Sequence, residues 1–440
     1  MVEVENKIQR YDSYKDSGVE WLGEIPEHWE LRRIKYLFNE INERSDDGDE
    51  DLLSVSQYTG VTNKSDKVEA GGMLTNALTL EGYKKVKKGD LVSNIMLAWN
   101  GSLGFSPFDG ITSPAYSIYR IYGENHNRYF HYLLRTELYK AEFKRNSSGV
   151  IESRLRLYTD DFFNILSILP PLLEQTKIAQ FLDDKTTKID EAIAIKEQQI
   201  NLLKERKQIL IHKAVTRGLD DSIPLKDSGV EWIGEIPEHW EVSKNGYISR
   251  IIRGASPRPA GHPMYFDGKD VPWLAVGDIT KDDNIYLNEA VNFLTNAGKK
   301  QSRYILKGTF VLSNSGATLG VPKILKISGC INDGVLAFLD LREDLIDKIF
   351  LYYYFASQTK RLREEMNQGA TQPNLNTDLV KQLPIALPPL SEQKEISAYI
   401  ETASKKIETA IGLKQQEIAK LKEYKSSLIN GVVTGKVRVC

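Results

Sequence analysis

The sequence predicts an α+β protein built by tandem duplication: two α+β domains separated by two long helices that pair as an antiparallel coiled coil about a pseudo-twofold axis. Three observations predict it. Lys15–Glu30, KDSGVEWLGEIPEHWE, returns at Lys226–Glu241 as KDSGVEWIGEIPEHWE, with only Leu22 against Ile233 changed and an offset of 211 residues. A second echo closes each half, LPPLLEQ at Leu169–Gln175 and LPPLSEQ at Leu387–Gln393, offset by 218. After each echo runs a stretch whose apolar residues recur at the spacing of a helical seam. The two offsets differ, so insertions lie in the middle of the unit while both its ends are copied closely. A repeated frame thus carries two different inserts.

Residues 1–14 are polar and expected to be loosely ordered. In the first repeat, Asp16-Ser17-Gly18 and Ile25-Pro26 are turn signals around Trp21 and Trp29. They predict a compact turn plugged into a core by its aromatics rather than a regular element. From residue 31 to about 165, DLLSVSQ, GDLVSNIMLAW and AYSIYRIY read as strands. Arg128–Lys144 then reads as one helix, with Tyr132, Leu133, Thr136, Tyr139 and Phe143 on one face. In the second half VPWLAV, GTFVLSN and GVLAFLDL read as strands, and Asp347–Met366 as a helix. Gly308 and Ser313-Asn314 align with Gly89 and Ser93-Asn94, so both inserts are expected to share a fold.

The long helices give the clearest signal. Leu182, Ile189, Ile193, Ile200, Leu203 and Leu210 step by seven, four and three, and the same register recurs as Ile400, Ile407, Ile411, Ile418, Leu421 and Leu428. Even the interruptions correspond, Lys196 with Lys414 and Lys207 with Lys425. A helix over Glu174–Lys213 would run about 60 Å. With one apolar stripe it needs a partner, and its own copy, Glu392–Asn430, is the nearest at hand. The expected domains are residues 1–168, a first helix at 169–218, a second α+β domain at 219–386, and a second helix with its tail at 387–440.

The composition narrows the class. Lys and Arg number 58 against 60 Asp and Glu, for a net charge of −2 and a pI near 6.4. That argues against indiscriminate coating of polyanions, so any nucleic-acid face must be local. There is no run of some eighteen apolar residues and no apolar signal core, and the two cysteines, Cys330 and Cys440, cannot form a disulfide framework. These features predict a cytoplasmic protein without a membrane role. A duplicated protein could be a two-site catalyst, but no GxxxxGK[ST], HExxH or metal-spaced Cys/His cluster is present. The Gly-bearing stretches Asn100–Gly104 and Asn314–Gly320 read as tight turns, lacking the acidic residue and helix that a dinucleotide site requires. Both Pro-Pro pairs are flanked by Leu, where an adenine methyltransferase would need Asn or Asp before and an aromatic after.

Two Trp-bearing repeats, LPPL-x-EQ before each of two coiled-coil helices, and two divergent inserts together resemble the specificity subunit of type I restriction-modification systems, over nearly the whole chain. The resemblance implies that each insert is a target recognition domain reading half of a bipartite site in double-stranded DNA, with the helices setting the spacer. It also implies two adenine methyltransferase subunits docked on the repeats, joined by two restriction subunits in the full endonuclease. The chain would be non-catalytic, with S-adenosylmethionine and base flipping belonging to the methyltransferase.

Base-reading residues follow no motif, so polar and cationic loop residues are nominated. In the first insert they are Arg145, Asn146, Arg154 and Arg156; in the second, Arg253, Arg258, Gln368, Gln372 and Asn374. Arg suits guanine, while Asn and Gln suit adenine. Lys84, Lys85, Lys87 and Lys88 read equally as phosphate contacts or a solvated face. A different class, a coiled-coil adaptor whose duplicated domains bind protein or glycan, is favoured slightly by the near-neutral charge and the 21 tyrosines.

Overall fold

The computed structural model describes residues 9–67, 77, 79–151, 154–367 and 374–439. The chain forms two compact units, Met1–Lys196 with Gln415–Cys440, and Glu197–Lys414. The division falls inside both long helices rather than at their ends, because each half-helix packs on a half of the other within its own unit.

In the first unit the central antiparallel sheet has the order β1-β6-β3-β4, from β1 (Phe38–Ile41), β3 (Leu91–Asn94), β4 (Leu103–Phe105) and β6 (Tyr116–Ile121). Beside it β2 (Lys84–Val86) pairs antiparallel with β5 (Gly110–Thr112). The second unit repeats this plan. Its central sheet runs β7-β12-β9-β10, from β7 (Arg250–Arg253), β9 (Phe310–Ser313), β10 (Pro322–Leu325) and β12 (Val335–Leu339), with Tyr286–Leu287 added at the far edge. Likewise β8 (Arg303–Ile305) pairs antiparallel with β11 (Gly329–Ile331). The inserts do share a fold.

Alternation of side chains across a strand lets each sheet bury both faces. Phe310, Leu312, Leu336 and Phe338 join one core, whereas Val311, Val335 and Ala337 join another with Leu274, Ile305 and Ile331. Leu91 and Tyr119 face one core of the first unit, and Val92 and Ile118 the other. Gly110 and Gly329 hold equivalent places where another strand crosses closely. A Cβ would come within 2.4 Å of the Asp51 carbonyl oxygen at Gly110 and within 2.8 Å of that of Pro272 at Gly329.

The expected single helix at 128–144 is two, α1 (Asn127–Leu133) and α2 (Glu137–Arg145). Thr136, read as part of an apolar face, instead caps α2 by accepting from the Tyr139 amide, as threonine does at helix starts. The sixteen-residue repeats are also more regular than expected, since each contains a short antiparallel ribbon, Tyr14–Asp16 with Glu24–Pro26 and Leu225–Asp227 with Glu235–Pro237. Between the second ribbon and the last helix, α4 (Asn296–Gln301) precedes β8 and α5 (Lys348–Asn367) covers the sheet.

The long helices are α3 (Leu172–Arg217) and α6 (Leu390–Val433), each a turn or more longer than read from sequence. All twelve seam residues are buried or half-buried. In the first unit the start of α3 lies against the end of α6, and in the second the end of α3 against the start of α6, so the pairing is antiparallel. The lysines that interrupt the seam bridge the helices. Lys196 reaches Glu417 at 2.5 Å and Lys425 reaches Asp190 at 2.6 Å in the first unit. Lys207 reaches Glu408 at 2.7 Å and Lys414 reaches Gln199 at 2.6 Å in the second.

Each repeat grips the start of one long helix and the end of the other. Glu174, in the first turn of α3, accepts from the Trp29 indole at 2.8 Å and lies 2.6 Å from His28 Nε2. Glu392, in the first turn of α6, accepts from the Trp240 indole at 3.1 Å and lies 2.8 Å from His239 Nε2. A carboxylate at a helix start also suits the helix dipole. The neighbouring glutamines are matched as closely, Gln175 bonding the Pro170 carbonyl and the His126 amide, Gln393 the Pro388 carbonyl and the Asp347 amide. Trp29 and Trp240 are fully buried. Val432 and Val433 of α6 share the core around Trp29, and Ala214 and Val215 of α3 share that around Trp240. Tyr139 and Tyr354 complete the frame, each placing its hydroxyl against the strand that leads into LPPL.

Candidate nucleic-acid interface

Both domains bring the segment after their helices to the same end of the central sheet, by backbone bonds to acceptors one position apart. Leu157 donates its amide to the Ile95 carbonyl in the β3–β4 turn at 2.8 Å, and Leu375 donates to the Asn314 carbonyl in the β9–β10 turn at 2.8 Å. These ends carry the nominated residues.

In the first domain Ser148 and Arg156 exchange two backbone hydrogen bonds of 2.9 Å, which tie the two ends of a loop together. Arg154 and Arg156 are exposed on it and form no ion pair among the described residues. Arg145 and Asn146 are held otherwise. Glu142 takes two hydrogen bonds from the Arg145 guanidinium, at 2.7 and 2.8 Å, and one from the Asn146 amide at 2.8 Å. Those bonds raise the arginine's pKa and tie both side chains to α2. Around the loop stand exposed apolar residues that residue-type reasoning missed: Met96, Leu97, Val150, Ile151 and Tyr158. Val150 is 98% exposed, which costs solvation unless a partner covers it. Trp99 lies among them, its indole donating to the Met96 carbonyl and its ring 5.4 Å from the Lys144 amine. The signal was available as an apolar cluster in a turn, IMLAW, read only as the end of a strand.

In the second domain Arg253, Arg258 and Asn374 are brought together. The Asn332–Gly334 turn joins them, since Arg253 Nε donates to the Asp333 carbonyl at 2.6 Å and the Arg258 guanidinium lies 3.4 Å from the Asp333 carboxylate. Gly334 in turn accepts from the Asn314 amide, and Ser315 is bridged to Asn374. Asn314 is fully buried, and among the described residues neither of its side-chain polar atoms nor the Asn332 side-chain oxygen is paired. Buried polar groups without partners are rare. Gln368 and Gln372 lie outside the described residues.

The lysine run is not one feature. Lys84 is buried in β2, Lys85 lies 3.5 Å from Glu50, and only Lys87 and Lys88 are exposed.

Fold and site together define a duplicated α+β recognition protein carried on an antiparallel helix pair. The family of type I restriction modification DNA specificity domains matches residues 26–205 and again 237–423. The chain belongs to that family and is a specificity subunit with two tandem recognition domains. It is 28% identical to the putative type I restriction enzyme MjaX specificity subunit of Methanocaldococcus jannaschii, over 95% of this chain and 96% of that one. The MjaVIII specificity subunit of the same organism is 26% identical over 94% of each. Two solved structures share the fold. A chain from a type I R-M system aligns at TM-score 0.69 and 16% identity over 93% of this chain and 98% of its own. The HsdS subunit of Thermoanaerobacter tengcongensis aligns at 0.55 and 18% over 94% and 98%. An adaptor of unrelated function is not favoured. Among the described residues no helix is long and apolar enough to cross a membrane.

Proposed function

We propose that each recognition domain reads one half of a bipartite duplex DNA target, and that α3 and α6 fix the spacer between the half-sites. The chain itself catalyses nothing. Two adenine methyltransferase subunits dock on the repeated frames and supply S-adenosylmethionine, and two restriction subunits join them where the system cuts. The complex works in the cytoplasm. Domain boundaries at 168, 218 and 386 separate the parts by role, although contacts divide the chain within the helices. Arg154 and Arg156 are the base-reading candidates of the first domain, and Arg253, Arg258 and Asn374 those of the second, with Gln368 and Gln372 in the same segment. Arg145 and Asn146 act by shaping the loop through Glu142.

One observation carries this reading: Glu174 and Glu392 grip Trp29 and Trp240 through the same indole and imidazole bonds, while the loops at the sheet ends differ in length and side chains. Such a division suits a chain that holds two identical partners and reads two different sequences. The test replaces residues 242–383 with the equivalent insert of another specificity subunit, in complex with the methyltransferase. One half-site should change and the other stay. A change in both, or in neither, would sink the proposal.

A further inference from the structure

Charge along the equivalent strands β2 and β8 separates the two domains. In the first, Lys84 is 8% exposed, and desolvation lowers its pKa. Lys85 lies 3.5 Å from Glu50 and 4.0 Å from Asp46, on an acidic loop, DDGDED, that flanks β2. Two of four lysines are thereby muted.

In the second domain α4 and β8 present Lys299, Lys300 and Arg303, followed by Lys307, all exposed. None of the four forms an ion pair among the described residues. Lys299 stands 4.1 Å from the centre of the half-exposed Tyr304 ring, which holds its ammonium outward by a cation–π contact. β8 is an edge strand, and among the described residues no further strand covers its outer side. An open groove of about 660 Å³ follows it, lined by Arg303, Tyr304 and Lys307 on the β8 side and by Asp340 and the Lys348–Glu343 ion pair on the other. This row continues the reading end of the domain. Arg303 is paired with Ile331, which leads into the Asn332–Gly334 turn, and the Ser302 hydroxyl donates to the Ala255 carbonyl in the loop that carries Arg258.

The geometry points to a landing site for the phosphate backbone of duplex DNA along α4 and β8 of the second domain, with no equal in the first. It rests on the DNA-reading function proposed above and adds an order to it. Backbone charge is the same for every sequence and acts at longer range than base contacts, so the second domain captures DNA before either half-site is tested. Four exposed cations without acidic neighbours in pairing range supply the attraction that an overall charge of −2 withholds.

The test uses the full chain with its methyltransferase subunit and two duplexes of equal length, one holding the target of the system and one scrambled, titrated between about 50 and 200 mM salt. Replacing Lys299, Lys300, Arg303 and Lys307 together by Gln should flatten the slope of log affinity against log salt by up to about 3.6, at about 0.9 per phosphate contact. Both duplexes should lose affinity by the same factor, leaving their ratio unchanged. The first-domain pair Lys87→Gln/Lys88→Gln should flatten the slope by less than half as much as the matched second-domain pair Lys300→Gln/Lys307→Gln, and Arg303→Lys should leave it as it is. Should the fourfold variant fold poorly, Lys300→Gln/Lys307→Gln replaces it, with an expected loss of about two in the slope. An unchanged slope, or an equal effect of the first-domain pair, overturns the landing site. A fall in the target-to-scramble ratio makes these residues base readers instead and overturns it too. If the unaltered complex shows no preference for the target, the DNA-reading function itself fails.

Discussion

The two recognition domains share six strands in one order and differ in what stands at the end of their sheets. The first shows apolar side chains, Met96, Leu97, Val150 and Ile151, around two arginines, whereas the second shows small polar residues around an arginine pair held by Asp333. Where the domains meet the long helices the comparison reverses. Glu174 and Glu392, Gln175 and Gln393, and Tyr139 and Tyr354 make the same bonds to the same positions. The two halves differ at the sheet ends, whose exposed side chains few internal contacts constrain. They agree where a buried hydrogen bond has one geometry.

The sharpest way to break this comparison is to remove the matched anchors. Trp29→Ala and Trp240→Ala should each cost about 3–5 kcal/mol, because each empties a fully buried indole site. The loss should appear as reduced hydrogen-exchange protection in the unit that carries the change. Glu174→Ala and Glu392→Ala should cost less, about 1–3 kcal/mol, by leaving an indole N–H without its acceptor. Unequal losses between the two units would mean that the frames are alike in shape but not in energy.

Acid should then separate the units. His131 sits on α1 between Arg128 and Arg135, and desolvation together with the two guanidinium charges pushes its pKa down to about 3. The unfolded chain binds a proton near pH 6.5 that the folded one refuses. The stability this neutral imidazole contributes is therefore complete above 6.5 and lost as the pH falls toward 3, by no more than about 1.4 kcal/mol per pH unit. In the second unit burial also lowers the pKa of His212, on α3, but less far than that of His131, so acid costs that unit less. Exchange protection should drop first in the first unit between pH 7 and 5, and His131→Gln should remove that difference.

The smallest effect concerns the helix pair. A double-mutant cycle on Lys207 and Glu408 should give about 0.2–1 kcal/mol, and the cycle on Lys425 and Asp190 the same, since both pairs are partly exposed. A coupling near zero in one and not the other would show that the two halves of the coil are unequally tight.

Much of this was legible in the chain alone. Periodicity exposed both long helices because a one-sided apolar stripe at seam spacing requires a helix with a partner, and literal repetition exposed the duplication. The lysines at 196, 207, 414 and 425 looked like defects in the seam. Only the facing helix, with Glu417, Glu408, Gln199 and Asp190, makes them its bridges. The break at Thr136 was hidden because a threonine can face a core or cap a helix, and the choice depends on where the chain turns. The reading ends were half visible: cationic loops could be named, but Arg145 and Arg154 look alike in sequence until Glu142 is seen to hold one of them.

By itself the sequence determined the duplication, the two helices and their register, and the α+β character of the inserts, since these depend on spacing along the chain. Tertiary structure decided which helix half meets which, that each glutamate after LPPL closes on a distant histidine and tryptophan, and which loop cations stay unpaired. The helix pairing and the glutamate grips depend on partners more than a hundred residues away, about which local pattern carries no information, and the loop cations are sorted by Glu142 and Asp333, which no residue-type pattern marks as their partners.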